Sequence, residues 1–497
     1  MILVANKKQN IKDKKQEITS IEKYRPIYHY TPKKNWMNDP NGMIYFEGEY
    51  HLCYQHDSND KVFSDMSWGH AISTDLVHWE EYAKAIVPDN DGLGMIFSGS
   101  TVVDKNNCAG FGVNTLVAFY TSTKPRQQQS MAYSIDKGRT WTKYIGNPII
   151  KNEKWDNIPE DFRDPKVIWH KDSQKWIMSL AVKDHIEFWS SYNLKDWTKE
   201  SEFGQGVGSH GGVWECPDFI ELSVDNDETN KKWVLLVSIN PGGPNGGSAT
   251  QYFVGDFNDV DGQMTYISSQ KDEKWIDYGT DNYAGVTWSN IENKSIVIGW
   301  MSNWDYADKV PTNNWRGAMT IPRELELKNI EGEILITSKP ACALKKIIGA
   351  SIATIDDVKL NSNINVGEEL SSSRIKVKMD ICDTKDVGME IGNSKGENVK
   401  IGYNKQDAYF YVDRSNSGEN SFKAGFAKLH KAKVGRNLKM LDMEIFMDKS
   451  SMEVFFNNGE RVMTEIIFPT EDFNMVKIFC DNKIEIREFN IKRISII

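Results

Sequence analysis

Apolar residues in this chain come in short runs bounded by Gly, Asn, Asp and Pro, and helical spacing is scarce. That pattern predicts an all-β protein. In the last third the alternation is strict. RIKVKMDI (374–381) places Ile375, Val377, Met379 and Ile381 on one face, as period two requires of a strand with one buried side. NVKIGYN, AYFYVDRS, MEIFMDKSSMEVFFNNG and MVKIFCDNKIEIREFNI continue as short strands with turns between them. Residues 350–497 are therefore expected to form a two-sheet β-sandwich.

The first two thirds carry a repeat. STDLVHW (73–79), SIDKGRTW (134–141) and SYNLKDW (191–197) share a Ser, an Asp or Asn two residues later, and a Trp four or five further on; the Ser positions are 61 and 57 residues apart. VGDFNDVDGQMTY (254–266) is a weaker echo about one period later. Several short strands per fixed period predict propeller blades of about four strands. Residues 25–338 hold about five such units, and the Lys/Asn/Gln-rich residues 1–24 read as a flexible tail.

Composition narrows the function. The 497 residues exceed one ordinary core, in keeping with two domains. Sixty basic against 70 acidic side chains, spread along the chain, give a net charge of −10. Nucleic acid is excluded as a partner, since its phosphates demand a basic stripe. No run of 18 apolar residues exists, so no membrane-spanning helix and no membrane partner are expected. The first apolar stretch is five residues long, too short for a signal peptide. The chain as it stands reads as cytoplasmic, or as secreted if its start is truncated. Cys53, Cys108, Cys216, Cys342, Cys382 and Cys480 form no CxxC pair, and the nine His show no HxxxH spacing. No disulfide framework, metal or cofactor is expected. Sixteen Trp suggest a surface for flat ligands such as carbohydrate, although Trp also serves in cores.

Three acids stand in apolar or aromatic company rather than in charge runs. Asp39 lies in WMNDPNG, Asp164 in EDFRDPKVIW and Glu215 in GGVWECPDF, each on a different expected blade. A propeller gathers its inner strands around one axis, so the three can meet in a central funnel. Paired carboxylates in an aromatic pocket suit glycosidic bond cleavage: one attacks the anomeric carbon or positions water, and another protonates the leaving oxygen. Each acid alone reads equally well as part of a surface turn.

With these motifs the chain resembles glycoside hydrolase family 32, the invertases, inulinases, levanases and fructan exohydrolases. The resemblance runs from about Tyr28 to the C-terminus and rests on WMNDPNG, YHLCYQ (50–55), WGHAISTDLVHW (68–79), FSGS (97–100), FRDPKV (162–167), WECPD (214–218) and NWRGAMTIPREL (314–325). It implies a five-bladed β-propeller followed by a β-sandwich. It implies Asp39 as nucleophile, Glu215 as general acid/base, and Asp164 as the stabiliser that holds fructose hydroxyls. Asn38, Gln55, Ser98 and Arg163 match positions that contact the fructosyl unit. Trp68 and Trp300 resemble pocket-wall aromatics, and Trp36 and Phe97 are counted with them. Phe63 stands where the family often has Trp, a departure that removes an indole N–H from the wall.

The implied reaction is retaining hydrolysis of terminal, non-reducing β-D-fructofuranosyl residues from levan, inulin and fructo-oligosaccharides, with sucrose as an additional substrate. Trp214 and Cys216 are expected to raise the pKa of Glu215, and Arg163 to keep Asp164 ionised. An intracellular invertase, a non-catalytic fructan-binding lectin and a fructosyltransferase are the alternatives. Three roles are open for the sandwich: stabilising the propeller, binding polymer, or binding a second copy of the chain, which would make a homodimer.

Overall fold

The computed structural model describes residues 22–89, 92–152, 161–368, 370 and 372–496. Residues 1–21 of the expected tail lie outside the described residues. The tail's last residue, Tyr24, is not loose: it is 6% exposed, and its hydroxyl donates to Glu419 Oε2 at 3.2 Å.

Five four-stranded antiparallel blades follow. Their innermost strands are β1 (Asn35–Phe46), β2 (Ile96–Asp104), β3 (Phe162–His170), β4 (Val213–Val224) and β5 (Tyr283–Thr287). Each touches the next, and β5 returns to β1, so the ring closes. Trp315–Arg316 pairs in parallel with Asn35 and Trp36 and joins the last blade to the first.

The repeat in the sequence marks one structural place. Residues 73–79, 134–141 and 191–197 each link the third and fourth strands of a blade. In each copy the Ser hydroxyl meets the Asp or Asn two residues on. The Trp indole donates to the carbonyl three residues back, at Leu76, Gly138 and Leu194. The fourth echo spans the equivalent hairpin, Ala249–Val260 to Gln263–Ile267, without a Trp to lock it.

Two six-stranded sheets form the sandwich after a short 3₁₀ turn at Cys342–Lys346. Ile375, Val377, Met379 and Ile381 are fully buried in its core. A buried polar seam joins it to the propeller. His29 bonds Asp448 Oδ2 and Glu453 Oε1, both at 2.8 Å. Arg323 reaches Asp277 at 2.8 Å and also pairs with Glu453. Arg414 pairs with Asp281 at 2.5 Å.

Burial alone would depress the pKa of His29, but Asp448 and Glu453 lift it to about 9. A histidine whose folded pKa lies above its unfolded value stabilises fully below the unfolded pKa, near 6.5, and loses that contribution as pH rises through about 9. His29→Gln is therefore expected to melt well below wild type at pH 6, with the gap narrowing by pH 10. Thermal denaturation at the two pH values checks this, and a gap independent of pH would show that His29 is not the cation of the seam.

Candidate active site

Every innermost strand breaks its ladder at the same height. Register shifts fall between Met37 and Pro40, Ile96 and Gly99, Arg163 and Lys166, Glu215 and Asp218, and Tyr283 and Val286. A bulge inserts an extra residue and re-aims its side chain. Pro165 and Pro217 lie inside two of these bulges, where the missing N–H costs no ladder bond, and Pro40 directly follows a third. Asp164, Cys216 and Ala284 adopt left-handed backbone, with φ of 65°, 45° and 54°. Such strain in non-glycine residues costs on the order of 1 kcal/mol each.

The bulges bring the three carboxylates together. Asp39 is held by Ser98 Oγ at 2.8 Å, Asn38 Nδ2 at 3.0 Å and Cys216 Sγ at 3.3 Å. Asp164 Oδ2 accepts the Cys216 N–H at 2.9 Å and faces the same thiol at 3.5 Å. Arg163, Glu215 and Tyr283 each stand directly before the bulge of successive strands, and they form one row. Arg163 donates to Glu215 Oε1 at 2.9 Å, and Tyr283 donates its hydroxyl to Oε2. Gln127 and Asp161 anchor the far side of the guanidinium.

Electrostatics follow from crowding. Burial raises the Asp39 pKa, and the charge of Glu215 raises it further, against three donors that lower it. Burial also drives Asp164 up to about 7, with Glu215 and Asp39 adding to the rise and Arg163 opposing it. Burial keeps the Cys216 thiol and the Tyr283 hydroxyl well above their usual range, so both remain donors.

The neighbours of two of the carboxylates differ from those expected from the sequence. Arg163 donates to Glu215 and approaches Asp164 at 3.9 Å; its charge favours the ionised form of Asp164, as expected, but burial and the two neighbouring carboxylates outweigh it. Trp214 and Cys216 do not enclose Glu215. The Trp214 indole donates to Ser209 O and its ring packs on His210 and Phe253, while the thiol faces the two aspartates.

The other expected site residues fall into two shells. Asn38, Ser98 and Arg163 touch the carboxylates directly. The Asn38 amide oxygen accepts the Trp36 indole N–H at 2.7 Å and its nitrogen donates to Asp39, which leaves a second N–H. Trp36, Gln55, Trp68 and Trp300 are all buried behind the site. Gln55 donates to Asn41 and to Ile96 O, and Trp68 donates to Phe97 O, bracing the strand that carries Ser98. Trp300 packs on Trp36. The open wall consists of Phe63, 39% exposed, with Phe97 at 5.8 Å and Trp304 at 5.6 Å between ring centres.

Tyr283, Trp304 and the linking role of Cys216 escaped the sequence reading. The available signal for Tyr283 was positional, since it precedes the Ala284–Gly285 bulge as Glu215 precedes Cys216–Pro217. Among the described residues, His185, Glu187 and Glu202 form a cluster with metal-type ligands, but it lies on outer strands and Lys199 bridges its two acids.

Asp164 gives a prediction about stability. A carboxyl whose folded pKa is raised favours folding below its unfolded value, near 3.8, and disfavours it as pH rises through about 7. Asp164→Asn should therefore melt a few degrees above wild type at pH 8 and show little difference at pH 4. Calorimetry at both pH values decides it; an equal or lower melting temperature at pH 8 contradicts the crowding.

Known proteins resemble this chain along nearly its whole length. Residues 29–339 match the description "Glycosyl hydrolases family 32 N-terminal domain", and residues 344–494 match "Glycosyl hydrolases family 32 C terminal". The levanase of Bacillus subtilis (strain 168) is 44% identical over 479 residues, covering 93% of this chain and 69% of the levanase. The extracellular exo-inulinase of Aspergillus awamori is 38% identical over 487 residues, 90% of each chain. The structure of the fructofuranosidase from Schwanniomyces occidentalis complexed with fructose superposes with a TM-score of 0.84 at 32% identity, covering 96% of this chain and 99% of that one. With a propeller and sandwich in the matched order, and both family descriptions covering nearly the whole length, this chain belongs to glycosyl hydrolase family 32.

Proposed function

We infer that this protein is a retaining glycoside hydrolase that releases terminal β-D-fructofuranosyl units from fructans and fructo-oligosaccharides, with sucrose as a further substrate. The observation that carries the reading is the convergence of three carboxylates from three blades at one mouth, with Asp39 fixed by three donors. A lectin has no need to crowd acids in this way.

The geometry supports distinct roles. Asp39 and Asp164 are 8% and 5% exposed, deep enough to bracket a single fructosyl unit. The side chain of Glu215 is 21% exposed and lies nearest the opening, where the leaving group must exit. Asp39 attacks fructose C2, the glycosidic C–O bond breaks, and Glu215 gives its proton to the departing oxygen. Glu215 then takes a proton from water as the water displaces Asp39 and frees β-fructose. Asp164 binds fructose hydroxyls and stabilises the oxocarbenium-like transition state. Preorganisation of Asp39 contributes to the rate because a mobile nucleophile would lose its alignment.

The levanase and exo-inulinase relatives favour polymer as substrate, and the relative named extracellular favours an exported enzyme that can meet polymer. Phe63, Phe97 and Trp304 supply an apolar wall for the units beyond the fructosyl site. The test is a product profile on sucrose, inulin and levan. Free fructose as the only early product from both polymers supports exo-attack. Early oligosaccharides, or activity on sucrose alone, would overturn it.

A further inference from the structure

Within each blade the strands are held by ladder bonds, but the innermost strands of different blades have few backbone bonds to one another. Their spacing around the axis must come mainly from side chains. Two residues beyond the carboxylate layer, about 6.6 Å along each strand, lies a second polar layer. Past the bulges, Ser100 follows Ser98, Lys166 follows Asp164 and Asp218 follows Cys216, and the hydrogen bonds below place them together.

These residues tie the strands into a ring. Ser100 Oγ donates to Pro165 O at 2.8 Å and accepts the Val167 N–H at 2.9 Å, joining β2 to β3. Lys166 Nζ pairs with Asp218 Oδ1 at 2.7 Å, joining β3 to β4, and donates to Thr287 O at 3.0 Å, reaching β5. The Thr287 N–H returns to Asp218 Oδ2 at 2.6 Å. From the end of β5, Ser289 exchanges backbone bonds with Met43 and Tyr45 of β1 at 3.0 Å each. Between β1 and β2 the tie is Ser98 to Asp39, in the carboxylate layer itself. Ser100, Lys166, Asp218 and Thr287 are all buried. A cavity of about 20 Å³ separates the two layers, and the much larger space of about 690 Å³ lies beyond Lys166, towards the other end of the axis.

We propose that Lys166, Asp218 and Ser100 are positioning residues for hydrolysis: they form a belt under the active site that sets the separation of Asp39, Asp164 and Glu215. A buried ion pair is a poor source of stability, because desolvation offsets its attraction. What it supplies here is a fixed distance between strands from separate blades. Reaction rates depend steeply on such distances, a displacement of about 1 Å costing on the order of a hundredfold.

This inference rests on the carboxylate roles proposed above, and the experiment separates the two. Ser100→Ala removes one tie without burying a charge. Its kcat on sucrose is expected to fall about tenfold with KM within about twofold, and Ser100→Thr, which keeps the hydroxyl, to recover most of the loss. The double variant Lys166→Met/Asp218→Leu removes both charges together and is expected to lose about a hundredfold in kcat, again at nearly constant KM. All assays run well below each variant's melting temperature, so lost stability alone would leave kcat unchanged. If Ser100→Ala, and the double variant where it folds, keep kcat within threefold of wild type, the belt is structural only and the proposal fails. Should the double variant not fold, the Ser100 pair decides alone. Inactivity of Asp39→Ala beside an unaffected belt would refute this inference and leave the carboxylate roles standing; an active Asp39→Ala would refute those roles.

Discussion

Asp39→Ala is expected to lose turnover by about 10⁴-fold or more while melting at or above the wild-type temperature near neutral pH. The two halves have one cause. Asp39 is buried beside Glu215, and that environment raises its pKa, so its charge is carried at a cost in folding energy. Deleting the side chain relieves the crowding. The bulged strand that carries it is held elsewhere, by the buried Trp36 and Met37 and by the ladder to the neighbouring strand. Functional sites commonly trade stability for activity in this way. Activity within tenfold of wild type in a folded variant would remove Asp39 from the nucleophile's role. Lost activity with a collapsed melting transition would show that Asp39 holds the bulge together.

The second large effect separates the two remaining acids. Glu215→Gln should cost far more on sucrose than on an activated aryl fructoside, because a poor leaving group needs the proton most. The amide is nearly isosteric and can keep its place between Arg163 and Tyr283. Azide should partly restore the second step by attacking the fructosyl-enzyme without needing a base. Asp164→Asn should slow both substrates alike, since it acts on the fructosyl unit whatever departs. If Asp164→Asn shows the leaving-group dependence and Glu215→Gln does not, the roles must be exchanged.

Much of this architecture was legible along the chain. The Ser-x-Asp…Trp repeat works because the whole device is local: a hydroxyl, a carboxylate and an indole within eight residues. The strict alternation of 374–381 is local too, and its four apolar side chains are all in the core. The carboxylates were visible because Asp-Pro and Cys-Pro break otherwise strand-like runs, and those prolines mark the bulges.

What the sequence hid lies between blades and between domains. Arg163 adjoins Asp164 in the chain, yet its partner is Glu215, 52 residues away on the next blade. Trp68 and Trp300 read as wall residues because aromatic side chains serve cores and sugar sites alike. Only packing shows that they brace Phe97 and Trp36, while Trp304 takes a place in the open wall. The domain seam joins His29 to Glu453 across 424 residues, a contact that no local pattern announces.

Rapid-quench mass spectrometry of the Glu215→Gln variant can reveal a covalent fructosyl-enzyme on Asp39. With an activated aryl fructoside the first step proceeds and the second is slow, so the intermediate accumulates. The proteolytic peptide containing Asp39 is expected to gain the mass of one fructosyl unit, which azide then removes. A fructosyl group on the peptide of Asp164, or an unlabelled protein that continues to turn over, would contradict it.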